Sequence, residues 1–235
     1  MNVRTLAIGD IHGCDTALLN LLRMVEPTPD DLVVALGDYV DRGPNSKGVV
    51  DSLIEFSGDH HLVCLKGNHE AMMLDARQEG METLMMWRSF GGAETMASYA
   101  GEGEPGSLED IPPQHWDWFE NTCLPYYETE RYIFVHAGVY PNLPMNKQTD
   151  SVLLWEKLHD RGPHISGKVI ICGHTAQKSG LPLSLGHTVG IDTWVYGEGW
   201  LTCLEPDTGR YWQANEQGET RLGTLDVPLA RPTDG

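Results

Sequence analysis

Basic residues are scarce in this chain of 235 residues: 16 Lys and Arg stand against 34 Asp and Glu, a formal net charge of −18. A duplex-binding protein needs a basic face, so that class of nucleic-acid partner is excluded. An anionic ligand also meets net repulsion, and its site would need bound metal or a few placed arginines. Long apolar runs are missing as well. None approaches the ~18 residues of a membrane-spanning helix, so no membrane partner is expected. Met1-Asn2-Val3-Arg4-Thr5 leads straight into a short apolar run and Gly9-Asp10. No secretory signal is read there, and a cytoplasmic, soluble protein is expected. Paired cysteines are absent too. Cys14, Cys64, Cys123, Cys172 and Cys203 are odd in number, widely scattered and without a C-x-x-C pair. Reduced, mostly buried thiols are expected rather than a disulfide framework. What remains is ordinary globular composition, 40% apolar and 21% charged, in a length that makes one generous domain or at most two.

Several short, β-branched, apolar runs read as buried strands: Thr5–Ile8, Leu32–Leu36, His61–Leu65, Tyr132–Val135 and Val169–Cys172. Helical stretches separate the first three. Ala17–Val25 places Leu18, Leu21, Leu22 and Val25 on one face, and Ser46–Phe56 does the same with Val49, Val50, Leu53 and Ile54. Strand, helix, strand, helix, strand predicts a parallel or mixed α/β sheet. Met72–Phe90, rich in Met and Trp (Met81, Leu84, Met85, Trp87, Phe90), reads as one or two helices packed into the core. A polar loop (101–113) and a short helix (114–122) follow. Late in the chain, Leu201–Leu204 and Tyr211–Gln213 flank Asp207-Thr208-Gly209, a good hairpin turn. Residues 1–215 are expected to form the domain and 216–235 a loosely ordered tail.

The informative residues follow the strands. Gly9-Asp10-Ile11-His12-Gly13 comes after the first, Gly37-Asp38-Tyr39-Val40-Asp41-Arg42-Gly43 after the second, and Gly67-Asn68-His69-Glu70 just after the third. Then come His136-Ala137-Gly138 and Gly173-His174-Thr175. In an open α/β sheet the site lies off the carboxyl ends of the strands. Here five such ends offer carboxylate, amide and imidazole, which suits a pair of borderline-hard metal ions without thiolate ligands. Asp10 and His12 can bind one ion, Asp38 can bridge two, and Asn68, His136 and His174 can complete the second. Taken singly, each motif has a plainer reading as a turn, a helix cap or a structural histidine. Five coinciding strand ends outweigh those readings.

These motifs, in this order, resemble the metal-dependent phosphoprotein phosphatase family within the calcineurin-like metallophosphoesterases. The later features, with Ile191-Asp192-Thr193 and residues 91–99, are most similar to its bacterial and bacteriophage (lambda phosphatase-like) branch. The resemblance implies a β-sandwich of two mixed sheets flanked by helices. It also implies six metal ligands: Asp10, His12, Asp38, Asn68, His136 and His174. Gly-His-Thr recurs at 186–188, but His174 follows a buried strand and precedes Asp192 by 18 residues, so it is preferred to His187. By the same resemblance, His69 is the general acid, Asp41 orients it, and Arg42 grips phosphate with its planar fork. A second gripping arginine is expected where Lys157 stands. Either Lys157 serves, Arg161 reaches in, or that clamp is weak. Asp192 is a candidate for supporting a ligand from behind.

The expected activity is hydrolysis of phosphoserine and phosphothreonine in proteins, with phosphotyrosine and small esters as further substrates. The expected cofactor is two divalent ions, Mn²⁺ first, with Fe, Zn²⁺ or Mg²⁺ as alternatives. The alternative activity is that of a diadenosine tetraphosphatase-like nucleotide hydrolase. Its pocket would want extra basic and stacking groups, for which Arg77, Arg88, Arg131 and Trp87 are candidates. A silent binding module would show eroded ligands, and none is eroded. With no heptad seam, a monomer is expected.

Overall fold

Alternation along each strand decides which layer its side chains join. In the computed structural model, which describes residues 3–229, the chain begins with β1 (Thr5–Ile8), α1 (Asp15–Val25), β2 (Leu32–Ala35), α2 (Ser46–Asp59) and β3 (His61–Cys64). The helical middle is α3 (Asn68–Glu79), α4 (Met81–Trp87), α5 (Ala93–Tyr99) and α6 (Pro113–Asn121). Then follow β4 (Tyr126–Glu128), β5 (Tyr132–Val135), α7 (Asp150–Trp155) and β6 (Val169–Cys172). The chain finishes in strands: β7 (Leu183–Ser184), β8 (Thr188–Gly190), β9 (Asp192–Thr193), β10 (Trp200–Glu205), β11 (Arg210–Ala214) and β12 (Thr220–Thr224).

The strands form two mixed sheets. The first runs β12-β11-β10-β1-β2-β3 with β9 on β10, and the second β4-β5-β6-β8-β7. β1, β2 and β3 are mutually parallel, as are β5, β6 and β8, while β10 lies antiparallel beside β1. Ala7, Val34, Leu36 and Leu65 meet Phe134, Ile171, Val189 and Ile191 between the sheets. The alternate residues Leu6, Ile8, Val33 and Ala35 pack outward against α1 and α2. On the far side Ile133, Val135 and Ile170 pack on Val152 and Leu153 of α7. The sandwich with flanking helices is therefore the expected one, and no described helix is long and apolar enough to cross a membrane.

Two expectations are corrected. The methionine-rich segment is core only in part: Met72, Met73, Leu74 and Ala76 are buried with the main cluster, but its second half turns four apolar side chains outward. Trp87 is fully buried, but Met81, Met85, Met86 and Phe90 are 69%, 64%, 50% and 51% exposed. Helical periodicity marks a face as apolar without saying what covers it. The segment from 216 is not uniformly loose either, because Thr220–Thr224 pairs along the whole of β11 as the edge strand. Its less exposed positions are Arg221 and Gly223 while Leu222 faces outward, so no apolar alternation marks the strand. Residues 230–235 of the expected tail lie outside the described residues.

Candidate metal centre and acid dyad

Strand direction gathers the site. The carboxyl ends of β1, β2, β3, β5 and β6 open at one edge of the sandwich, and the loops after them turn sharply to aim polar side chains inward. The turns are tight enough to force unusual backbone. His12, Asp38, Asp41, Arg42 and His174 all have φ between 47° and 73°, five of the seven described non-glycine residues with positive φ. Such conformations cost of order 1–3 kcal/mol each and persist only where surroundings enforce them. Gly67 is required for close approach, since a Cβ there would overlap Asp38 Oδ1.

Glu70 is the brace. Buried in the first turn of α3, its Oε2 accepts from the N–H of Asp38 and of Gly67, both at 2.8 Å. Its Oε1 accepts from the N–H of Tyr39 at 2.8 Å and of Val40 at 3.4 Å. One carboxylate thus ties the loop after β2 to the start of α3. The sequence displays Glu70 beside the candidate ligands but gives no hint of this role. Glu70→Gln sets an amide NH₂ against two of those N–H groups whichever way it is turned. The expected cost is about 2 kcal/mol of stability by urea unfolding, with at least a roughly tenfold loss of metal affinity in dialysis. Unchanged values for both would show that the brace is dispensable.

Asp38 lies at the centre. Two groups of potential ligand atoms lie within 4.8 Å of one another: His12, Asp38 and His69, and Asp38, His136 and His174. His12 Nδ1 donates to the Val40 carbonyl (3.0 Å) and His136 Nδ1 to that of Leu36 (2.9 Å). Each Nε2 therefore carries a lone pair. His12 Nε2 faces Asp38 Oδ2 at 3.5 Å, and His136 Nε2 faces Asp38 Oδ1 at 3.4 Å. Asn68 Oδ1 adds another acceptor, 2.9 Å from both His136 Nε2 and His174 Nδ1. Electron pairs converge on either side of one carboxylate, an arrangement suited to two cations bridged by Asp38. Burial lowers the pKa of His12 and His136 and, with His136 beside it, takes His174 to about 3, keeping all three imidazoles neutral as ligands must be.

Asp10 stands slightly apart. It belongs to neither group, and its carboxylate accepts from the His174 N–H at 3.0 and 3.1 Å, joining the ends of β1 and β6. Burial, with Asp192 and Asp38 close by, raises its pKa, which marks a place short of positive charge. Asp192 lines the same pocket and accepts from the Trp194 N–H at 3.0 Å. Burial raises its carboxyl to about 6. Of the duplicated Gly-His-Thr, only His174 reaches the centre. His187 Nε2 lies 3.2 Å from Asp160 instead.

His69 and Asp41 form a buried pair, Nδ1 to Oδ2 at 2.6 Å. Burial disfavours the imidazolium, but Asp38 and Asp41 outweigh it and raise the pKa of His69. Asp41 is fixed by partners the sequence did not betray. Trp87 Nε1 donates to its Oδ2 (2.9 Å) and Thr95 Oγ1 to its Oδ1 (2.7 Å), while its own N–H reaches Thr95 Oγ1 at 2.8 Å and Ser46 Oγ at 3.1 Å. These partners stand up to 54 residues away, beyond any local pattern. Arg42 donates from Nη1 to His12 Nε2 at 2.8 Å and stacks over Tyr196 at 4.6 Å.

The pocket over these groups is lined by Asp38, Arg42, Asn68, His69, Lys157, His174, Ala176, Asp192 and Tyr196. Lys157 is thus at the site. Arg161 is not among its lining residues; it pairs with Glu156 at 2.6 Å and packs over Tyr140. All five cysteines are free and buried, and burial pushes the Cys172 thiol up to about 12, as for a small core residue.

Residues 3–197 match the calcineurin-like phosphoesterase family. A stretch of 101 residues is 40% identical to serine/threonine-protein phosphatase 1 of Salmonella typhimurium, covering 41% of this chain and 44% of that one. Another of 139 residues is 34% identical to the symmetrical bis(5'-nucleosyl)-tetraphosphatase of Paracidovorax citrulli, covering 57% and 44%. The match thus spans less than half the length of either relative. Among solved structures, one provisionally assigned as a diadenosine tetraphosphatase superposes with a TM-score of 0.64 at 21% identity, over 94% of this chain and 93% of that one. The cold-active protein-tyrosine phosphatase of a Shewanella species gives 0.58 at 17%, over 94% and 80%. These two likenesses are of fold. With the motif-bearing loops inside the matched span and their polar side chains gathered at one edge, the chain belongs to the calcineurin-like phosphoesterase family.

Proposed function

We propose that this phosphoesterase hydrolyses phosphomonoesters of serine and threonine in proteins, with phosphotyrosine and small esters as further substrates. The observation that carries this reading is the fate of the groups a dinucleotide pocket would want. Arg77 pairs with Glu120 at 2.9 Å and stacks on Trp116, while Arg131 pairs with Asp207. Trp87 is buried and spends its N–H on Asp41. Of the four candidates only Arg88 stays near the pocket mouth, in a groove it shares with Arg42.

Asp10, His12, Asp38, Asn68, His136 and His174 would hold two divalent ions, Mn²⁺ in the first instance. Such ions, when bound, lower the pKa of a water and neutralise phosphoryl charge in an in-line displacement. Arg42, with its fork free to leave His12, holds two phosphoryl oxygens while Tyr196 keeps the guanidinium over the pocket. Lys157 adds a point charge on the other side. His69, held protonated by Asp41, donates from Nε2 to the departing oxygen.

Metal-stripped protein re-supplied with Mn²⁺ tests this, assayed for phosphate release from a phosphothreonine peptide and from diadenosine tetraphosphate in parallel. Metal-dependent release from the peptide, with the dinucleotide inert, is the expected result. A far higher kcat/KM on the dinucleotide would hand the activity to the nucleotide hydrolase reading.

A further inference from the structure

The exposed face of α4 takes no part in the chemistry above. Met81 and Met85 make one row four residues apart on α4, and Met86 with Phe90 of the segment that follows makes a second row, roughly 100° further round the axis. All four are at least half exposed, and such a patch on a monomer marks a contact surface more often than an accident. Methionine suits it, being unbranched and able to mould to varied partners.

The patch runs into the catalytic pocket. After α4 the chain kinks within Arg88–Gly92, where Gly91 takes φ 117°, outside the helical range. Gly91 abuts Arg42: its carbonyl accepts the Arg42 N–H at 3.3 Å, and a Cβ there would lie 2.8 Å from Arg42 Cγ. The groove beside the turn is lined by Arg42, Arg88, Ser89, Phe90, Gly91 and Glu94. Arg42 thus lines both this groove and the pocket that holds Asp38 and His69. Arg42 and Phe90 line one groove, so a phosphate held at Arg42 would bring its flanking groups beside Phe90.

Charge narrows the occupant. The groove offers two guanidinium groups against one carboxylate, on a chain of net charge −18. Another copy of this chain would bring the same large negative charge and be repelled. A short anionic segment with apolar side chains fits both features. We propose that the groove and the α4 face dock the peptide next to the phosphorylated residue, with apolar side chains on Met85, Met86 and Phe90 and an acidic one on Arg88. The proposal rests on the protein phosphatase reading above.

The test uses Mn²⁺-loaded full chain and three substrates: p-nitrophenyl phosphate, a phosphothreonine peptide flanked by glycines, and the same peptide flanked by Leu, Leu and Glu. The wild-type protein should show a KM about tenfold lower for the Leu-Leu-Glu peptide than for the glycine one. The triple variant Met85→Ser, Met86→Ser, Phe90→Ser should erase that difference with kcat and p-nitrophenyl phosphate turnover unchanged. Arg88→Glu should reverse the acidic preference towards a Leu-Leu-Lys peptide. Equal KM values for both peptides in the wild type would overturn the docking proposal alone. Failure to cleave either peptide while p-nitrophenyl phosphate is turned over would overturn the protein phosphatase reading with it. A rise in KM for diadenosine tetraphosphate in the triple variant, with peptides unaffected, would assign the surface to a nucleobase instead.

Discussion

His69→Asn should cost about 10³-fold in kcat on a phosphoserine peptide, yet only about tenfold on p-nitrophenyl phosphate. The asymmetry follows from the leaving groups. Serine departs as a basic alkoxide that must be protonated as the bond breaks, whereas nitrophenolate is stable unprotonated at neutral pH. In the structure His69 is committed to Asp41 through Nδ1 at 2.6 Å, which leaves Nε2 as the ring nitrogen available to carry a transferable proton, and His69 lines the pocket. The substituted amide would retain a polar group there without a transferable proton. Steady-state kinetics on both substrates decide the matter, with metal content measured alongside. Equal losses on the two would mean that His69 serves metal binding or phosphate binding rather than protonation.

Asp38→Asn is expected to be more damaging still. Each Asp38 oxygen faces a different imidazole, His12 on one side and His136 on the other. An amide has one good acceptor and one donor, so one side of the centre would present hydrogens to a cation. The expected outcome is a fall from about two bound metal ions to one or fewer, read by elemental analysis after dialysis, with kcat lower by about 10⁴-fold or more. The carboxylate also accepts the His69 N–H at 3.0 Å, and an amide can keep that contact through its remaining carbonyl oxygen. The fold should therefore survive, as circular dichroism would verify. Two ions retained in the variant would remove Asp38 from the bridging role.

What the sequence revealed, it revealed through locality. β1, β2, β3, β5 and β6 are short apolar runs, each followed within three residues by glycine or a candidate ligand, so both signals sit close together. The candidate centre was legible for the same reason, since its six candidate ligands lie just after five strand ends. The groups around Asp41 were not. Trp87 and Thr95 reach it from 46 and 54 residues away, and Trp87 looks like any buried aromatic until its N–H is followed to its acceptor. Lys157 and Arg161 are four residues apart, and only packing decides that Arg161 stays with Glu156. The insertion of β10 between β11 and β1 is likewise a matter of long-range pairing. The Met81–Phe90 face shows the converse, an apolar pattern that the chain leaves in water.

The join between Asp10 and the His174 N–H spans 164 residues of chain, and it closes the same centre onto which five separate strand ends converge. Contacts so distant in sequence form late, because the loop-closure entropy is spent before they return any stabilisation. During synthesis the growing polypeptide would carry Asp10, His12, Asp38 and Asn68 long before their imidazole partners emerge. Activity is therefore expected only once β6 and the segment to Asp192 have left the ribosome and docked, so a partly made chain would carry four of the six proposed ligands without a complete centre.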